Sequence, residues 1–220
     1  MLTFRFLINF LNRRLNLSPP PSSLVTGVIL AGGLGRRMGN VDKGLQLLAG
    51  RALASWVLRR LASQVDEILI NANRNLEAYA ALGYRVIEDR AATYAGPLAG
   101  MHAGLSEAKN SLVAFAPCDT PLLPADLVTR LLAPLQDEHV DLAVAKTGTR
   151  VHPVICIARK RLLPHIAGFL AGGGRKVDAW FATLKVVEVA FDDQQQAFSN
   201  VNTEEELRAI ERDQPAASRK

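Results

Sequence analysis

The 220-residue chain is 49% hydrophobic and 21% charged, a balance that suits one globular domain with a sizeable core and argues against a disordered or fibrous chain. Its net charge of +5 is unevenly placed: no acidic residue precedes Asp42, and Arg5, Arg13 and Arg14 supply three of the five charges, so the basic balance is no argument for nucleic-acid binding. The longest apolar runs fall well short of the roughly 18 residues that cross a bilayer, so no transmembrane helix is expected.

Residues 1–23 end in the proline run "SPPPSS". They are expected to be a disordered basic leader, or sequence ahead of a later start codon; a membrane-surface helix is the other reading. A secretory signal is not expected, because the apolar stretch is short, is interrupted by Asn9 and lacks a small-residue cleavage site. The domain is placed at residues 24–212, with 213–220 as a tail.

Val25–Leu30 reads as the first strand, and a glycine loop follows it. Leu53, Trp56, Val57 and Leu61 recur at helical spacing, which predicts a helix over Leu53–Leu61. "EILINAN" is a second strand, Leu76–Leu82 a short helix and "YRVIED" a third strand. "YAGPLAG" reads as a turn before a helix running through Leu105. "SLVAFAPCD" is nearly all apolar, as a strand covered on both faces must be. A helix over "PADLVTRLLAPL" comes next. "DLAVAK" and "HPVICIA" then form a less regular, partly antiparallel segment. A helix over Arg161–Ala171, a basic glycine turn, another helix and the strand "KVVEVAF" complete the body. The last helix, from about Thr203, opens with the capping box Thr203-Glu204-Glu205-Glu206.

This alternation predicts an α/β fold: a single Rossmann-like three-layer domain with a mostly parallel central sheet and helices on both faces. In such sheets ligands bind beyond the carboxyl ends of the strands. Four consecutive predicted strands end in small or polar groups suited to a ligand: the glycine loop, Asn71 and Asn73, Asp89, and Asp119.

The loop "LAGGLGRRMGNVDKGL" (residues 30–45) fits neither common phosphate motif. The dinucleotide fingerprint fails because Met38 stands where its third glycine belongs, and the P-loop fails because Lys43 follows Asp42 and precedes Gly44. Glycines still let backbone N–H groups converge on an anion. Arg36, Arg37 and Lys43 place three cations within eight residues, which suits a triphosphate better than a single carboxylate; a solvated basic turn is the plain alternative.

Asp119 in "APCDTPLL" is either a helix cap or a ligand for Mg²⁺, an ion that takes one or two carboxylates plus phosphate oxygens. Asp89 could serve a second metal face, a ribose hydroxyl or a base N–H, or simply form a turn. "GPLAG" (Gly96 to Gly100) admits either a close ligand or a packed helix. His152 precedes a proline, where a structural role competes with substrate contact. His102, His139 and His165 are assigned nothing. "GGGRK" could meet an anionic second substrate, and Asn200 and Asn202 alternate along one extended segment.

Cys118 and Cys156 sit in apolar runs and read as buried thiols in a reducing cytoplasm; no His/Cys cluster has zinc-ligand spacing. No nucleophile–base pair is framed for covalent catalysis. That leaves a reaction in which the protein positions phosphates and neutralises charge, as in phosphoryl or nucleotidyl transfer.

The loop resembles the pattern L-A-G-G-x-x-x-R-M-G-x-x-D-K-G-L of the molybdenum cofactor guanylyltransferases, a branch of the nucleotidyltransferase superfamily. The resemblance continues through "NAN" at 71–73, "VIED" at 86–89, "GPLAG" at 96–100, "CDTP" at 118–121, "HP" at 152–153 and "NVNT" at 200–203. It implies that GTP and Mg²⁺ bind, that the terminal phosphate of molybdopterin attacks the α-phosphate, and that pyrophosphate leaves. Leu30, Ala31 and Gly32 would meet the nucleotide through their backbone. Arg37 and Lys43 would hold its phosphates, Asn71 and Asp89 would contact the guanosine, and Asp119 would ligate Mg²⁺. Arg37, Lys43 and Asp119 would thus carry the chemistry, with His152, Arg175, Asn200 and Asn202 on the pterin side.

Glu204 and Val154 depart from the pattern, which often has proline and threonine or serine there. The expected partners are GTP and molybdopterin, with contacts to proteins that deliver the cofactor or mature molybdoenzymes; nucleic acid and membrane are not expected, and the protein is expected to be a cytoplasmic monomer. A cytidylyltransferase for the same cofactor, a sugar-phosphate nucleotidyltransferase and a non-catalytic nucleotide-binding regulator are the competing readings.

Overall fold

The structure, a computed structural model, describes residues 24–31, 42–90, 96–201 and 206. Its central sheet has seven strands: β1 (Val25–Leu30), β4 (Glu67–Asn71), β5 (Arg85–Ile87), β6 (Leu112–Pro117), β7 (Leu142–Thr147), β8 (Arg150–Arg159) and β9 (Val186–Ala190). Two further short strands, β2 (Leu47–Leu48) and β3 (Arg51–Ala52), pair as a separate hairpin. The order across the large sheet is β5-β4-β1-β6-β8-β7-β9. β1 lies parallel to both β4 and β6, and β4 parallel to β5, whereas β8 runs against both β6 and β7. The expected mostly parallel sheet is therefore interrupted by one reversed strand.

Alternation along each strand divides the core in two. Val25 and Ile29 of β1, Leu112, Ala114 and Ala116 of β6, and Ile155 and Ile157 of β8 share one apolar cluster. That cluster takes in Ala54, Val57, Leu58 and Leu61 of α1 (Leu53–Leu61), Tyr79 of α2 (Leu76–Ala80) and Leu127, Val128 and Leu131 of α4 (Leu127–Leu132). The intervening residues, Val28, Val113, Phe115, Cys156 and Ala158, face a second cluster. There they meet Leu98, Met101 and Leu105 of α3 (Pro97–Glu107), Ile166 and Leu170 of α5 (Leu163–Ala171) and Trp180 of α6 (Val177–Phe181). Helices thus cover both faces, and a strand such as β6 has no solvent side on which polar residues could sit.

Two expectations change. "GPLAG" is not a turn but the entry of α3, whose first residue is Pro97; proline suits that position because its missing N–H would have no helical partner there. The helix expected over "PADLVTRLLAPL" is shorter, with a 3-10 turn over Pro134–Gln136 following α4. The irregular segment was legible. Between β7 and β8 the register slips from Val144↔Cys156 to Lys146↔Val151, and Pro153 in that stretch has no N–H to give a ladder. The helix expected from Thr203 lies almost wholly outside the described residues. No helix among the described residues is long and apolar enough to cross a membrane.

Candidate functional site

β1 sits between two parallel partners, so the carboxyl ends of β4, β1 and β6 lie side by side. The ladder runs on past the strands: Ala31 N donates to Asn71 O at 2.8 Å and Cys118 N to Leu30 O at 3.1 Å. β8 bonds to β6 only as far as Phe115↔Cys156, while β6 continues to Pro117. The sheet is open on that side where Asp119 emerges. Leu30 and Ala31 lie at this edge. Gly32 and Arg37, with Arg36, fall outside the described residues, and the chain is described again from Asp42.

Lys43 and Asp119 meet across the gap, with Nζ 3.4 Å from Oδ2. Asp119 is not a helix cap, since α4 starts eight residues later and follows Asp126. It is 9% exposed. Burial pushes its carboxyl up from the usual range, and Lys43 only partly opposes that. Its Oδ1 is buried and has no hydrogen-bond partner among the described residues. A buried anion with one open oxygen beside a lysine is a place where further positive charge is stabilising. No group of three or more His, Cys, Asp or Glu side chains gathers among the described residues. The open Asp119 oxygen suits an ion such as Mg²⁺, which takes one or two carboxylates and fills the rest of its shell with phosphate oxygens or water.

Lys43 opens a 3-10 turn over Lys43–Leu45, and Asp42 caps it by accepting from Gly44 N at 3.2 Å. The same carboxylate accepts from the Tyr79 hydroxyl at 2.5 Å and from Asn75 Nδ2 at 3.0 Å. Sequence reasoning missed this network. The adjacency of Asp42 to Lys43 was a signal for one member, but nothing local in "LEAYA" marks Tyr79.

On the other side of β1, Asn71 and Asp89 come together. Asn71 Nδ2 donates to Asp89 Oδ1 at 2.9 Å, and Asn73 Nδ2 donates to Oδ2 at 2.8 Å. Asn73 also accepts from Asp89 N at 2.8 Å. The carboxylate is held in a fixed plane at the strand ends. Gly100 admits this arrangement: a Cβ at that position would stand 2.3 Å from Asn71 Oδ1. Of the two readings of "GPLAG", helix packing accounts for Gly100.

The "NVNT" segment closes on Asp119 from a third direction. Val201 N donates to Asp119 O at 2.8 Å, and the Thr120 hydroxyl donates to Asn200 Oδ1 at 2.9 Å. Val201 packs with Leu48 of β2 and with Leu53 and Trp56 of α1, which anchor the segment. Asn202 lies outside the described residues. His152 is buried, shares a hydrogen bond with the Thr147 hydroxyl at 2.8 Å and stacks on Phe198 at 4.8 Å. Burial, helped by Arg150, pulls its ring down from the usual value, which favours the neutral imidazole. Arg175 donates to the carbonyls of Leu170 and Gly174 at the end of α5. Those bonds are local to its own turn and do not join Arg175 to Lys43, Asp119 or Asn71.

Cys118 and Cys156 are both buried free thiols. Burial pushes both up in pKa, with Asp119 and Asp42 adding to the effect on Cys118. Burial thus disfavours the thiolate that nucleophilic chemistry needs.

The MobA-like NTP transferase domain family matches residues 27–187. Among curated relatives, a protein of Burkholderia ambifaria named molybdenum cofactor guanylyltransferase is 49% identical over 205 residues, covering 89% of this chain and 100% of its own. One of the same name from Cupriavidus metallidurans is 46% identical over 197 residues, covering 87% and 97%. Among solved structures, the molybdopterin-guanine dinucleotide biosynthesis protein A of Archaeoglobus fulgidus superposes with a TM-score of 0.71 at 22% identity, covering 85% of this chain and 97% of that one. The 4-diphosphocytidyl-2C-methyl-D-erythritol synthase of Anaerococcus prevotii reaches 0.67 at 13% identity, covering 86% and 95%; at such identities the likeness is one of fold.

Proposed function

This chain belongs to the MobA-like NTP transferase family, and we propose that it transfers GMP from GTP to the molybdenum–molybdopterin cofactor, forming the guanine dinucleotide cofactor and releasing pyrophosphate. The names of the relatives support the reaction. The observation that carries it is the Lys43–Asp119 pair, whose open carboxylate oxygen stands at the carboxyl ends of β1 and β6.

GTP would lie along this edge with its guanosine toward Asn71 and Asp89 and its phosphates toward Lys43. The fixed Asp89 carboxylate can accept N–H or O–H donors from the nucleoside. Lys43, with Arg37 from the glycine loop, would neutralise the phosphates. The residues fit Mg²⁺, with Asp119 as its ligand; when bound it supplies positive charge for the α-phosphate and the leaving pyrophosphate. Attack by the pterin's terminal phosphate oxygen forms a new phosphoanhydride as the α–β bond breaks, so no protein nucleophile is required. The burial of the Cys118 thiol agrees with that. His152, Arg175, Asn200 and Asn202 would face the pterin.

The test is pyrophosphate release by the full chain with Mg²⁺ and molybdopterin, supplied in turn with GTP, CTP and ATP. Turnover with GTP alone is the expected result; turnover with CTP alone would overturn the base assignment. Lys43→Ala is expected to lower kcat/KM for GTP by about 10²–10³ through lost charge stabilisation. Steady-state kinetics check this, and unchanged constants would remove Lys43 from nucleotide binding and turnover.

A further inference from the structure

Helix α2 is a single turn, yet it presents two donors to one carboxylate. Asn75, at its N-cap, has a left-handed backbone (φ 52°, ψ 37°), and Tyr79 follows four residues later, fully buried. Both donate to Asp42, Asn75 to Oδ2 and Tyr79 to Oδ1. A buried tyrosine hydroxyl needs some partner, and any nearby carbonyl would satisfy it. Here the partner is the residue that immediately precedes Lys43 and caps its turn. Gly44, the residue after Lys43, makes the approach possible, because a Cβ there would stand 2.4 Å from the Tyr79 oxygen. Burial, with Cys118 and Asp42 nearby, pushes the phenol up, so it stays protonated and donates.

We propose that Tyr79 and Asn75 are positioning residues that act through Asp42 to hold the Lys43–Leu45 turn, setting the Lys43 ammonium against Asp119 where the nucleotide phosphates bind. This rests on the nucleotide-transfer reading of the site. Without the clamp Asp42 retains its bond to Gly44 N and Leu45 its packing on the core, but the residue before Lys43 loses the two donors that fix its carboxylate. Lys43 then samples orientations in which its charge is not aimed at the phosphates.

The experiment compares the full-length wild type with Tyr79→Phe, Asn75→Gly, Lys43→Ala and the two double variants carrying Lys43→Ala. Asn75→Gly keeps the left-handed backbone and removes only the amide, so it reads the same contrast if Tyr79→Phe fails to fold. Two quantities are measured: kcat/KM for GTP, and the rate at which an amine-acylating reagent modifies Lys43 in the absence of nucleotide, followed by mass spectrometry. Each single clamp variant is expected to lower kcat/KM about tenfold and to speed Lys43 acylation several-fold, while costing less than about twofold once Lys43 is alanine, as coupled residues do. Effects that multiply in the double variants, with acylation at the wild-type rate, would reduce Tyr79 and Asn75 to fold stabilisers and overturn the proposal. A wild type that turns over no GTP would sink the reaction assigned above, yet the acylation rates would still decide the clamp.

Discussion

Asp119→Asn is expected to abolish GMP transfer and, at neutral pH, to raise thermal stability. The two effects share one cause. The native structure buries the Asp119 carboxyl and raises its pKa above the value in the unfolded chain. The native state therefore holds this proton more tightly, and stability falls as pH rises through the window from the unfolded carboxylate range to the raised native value. The amide carries no charge to desolvate and removes that loss. The Lys43–Asp119 pair is given up, at 3.4 Å, but the upward direction of the carboxyl's shift means that burial outweighs what Lys43 returns. A gain of ~1 kcal/mol raises Tm by about 2–4 °C in a domain of this size. The advantage should be greatest near pH 7 and vanish in acid, where the wild-type carboxyl is also neutral. Turnover should fall by at least about 10²–10³, an exchange of stability for activity common at functional sites. Pyrophosphate release and melting curves at several pH values check both parts. Near-normal turnover would remove Asp119 from the chemistry, and an unaltered pH profile of Tm would remove burial as the dominant influence on it. A nucleotide-binding regulator has no need of this carboxylate for catalysis, so the loss of turnover also separates enzyme from regulator.

Gly100→Ala is expected to damage fold and site together. The added methyl would stand 2.3 Å from Asn71 Oδ1 and 2.8 Å from Leu30 Cδ2. Asn71 is only 2% exposed and has no room to swing outward. Either α3 retreats from the sheet or the Asn71 amide turns away from Asp89. Overpacking of this kind costs about 1–3 kcal/mol, and loss of the amide leaves the Asp89 carboxylate held by Asn73 alone. A lower Tm and a higher KM for GTP follow. Gly168→Ala is the control. Gly168 lies inside α5, where a Cβ meets nothing within 4 Å, and the same exchange there is expected to stabilise by about 0.4–1 kcal/mol. If both variants melted alike, close approach at Gly100 would not be the reason for its glycine.

The identity of the main elements, and the ends of some, were legible because they depend on near neighbours in the chain. Val25–Leu30 and Leu53–Leu61 appear with the bounds their spacing indicates. An unbroken apolar run such as "LVAFA" already says that both faces of β6 are covered. The polar groups that end the strands, Asn71, Asp89 and Asp119, are visible in the same way.

What they do to one another is another matter. That β1 lies between β4 and β6, and that reversed β8 leaves the sheet open near Asp119, depends on how two apolar faces are buried at once. No short window of sequence contains that. Asp42 and Tyr79 are 37 residues apart, and Thr120 and Asn200 are 80 apart. Whether Asp119 caps a helix or keeps an open oxygen turns on which donors the packed chain brings near, and among the described residues none reaches its Oδ1. The amino-acid order specified the pieces and the kind of chemistry at their tips; three-dimensional packing chose the partners, because hydrogen bonds and burial act through space and not along the backbone.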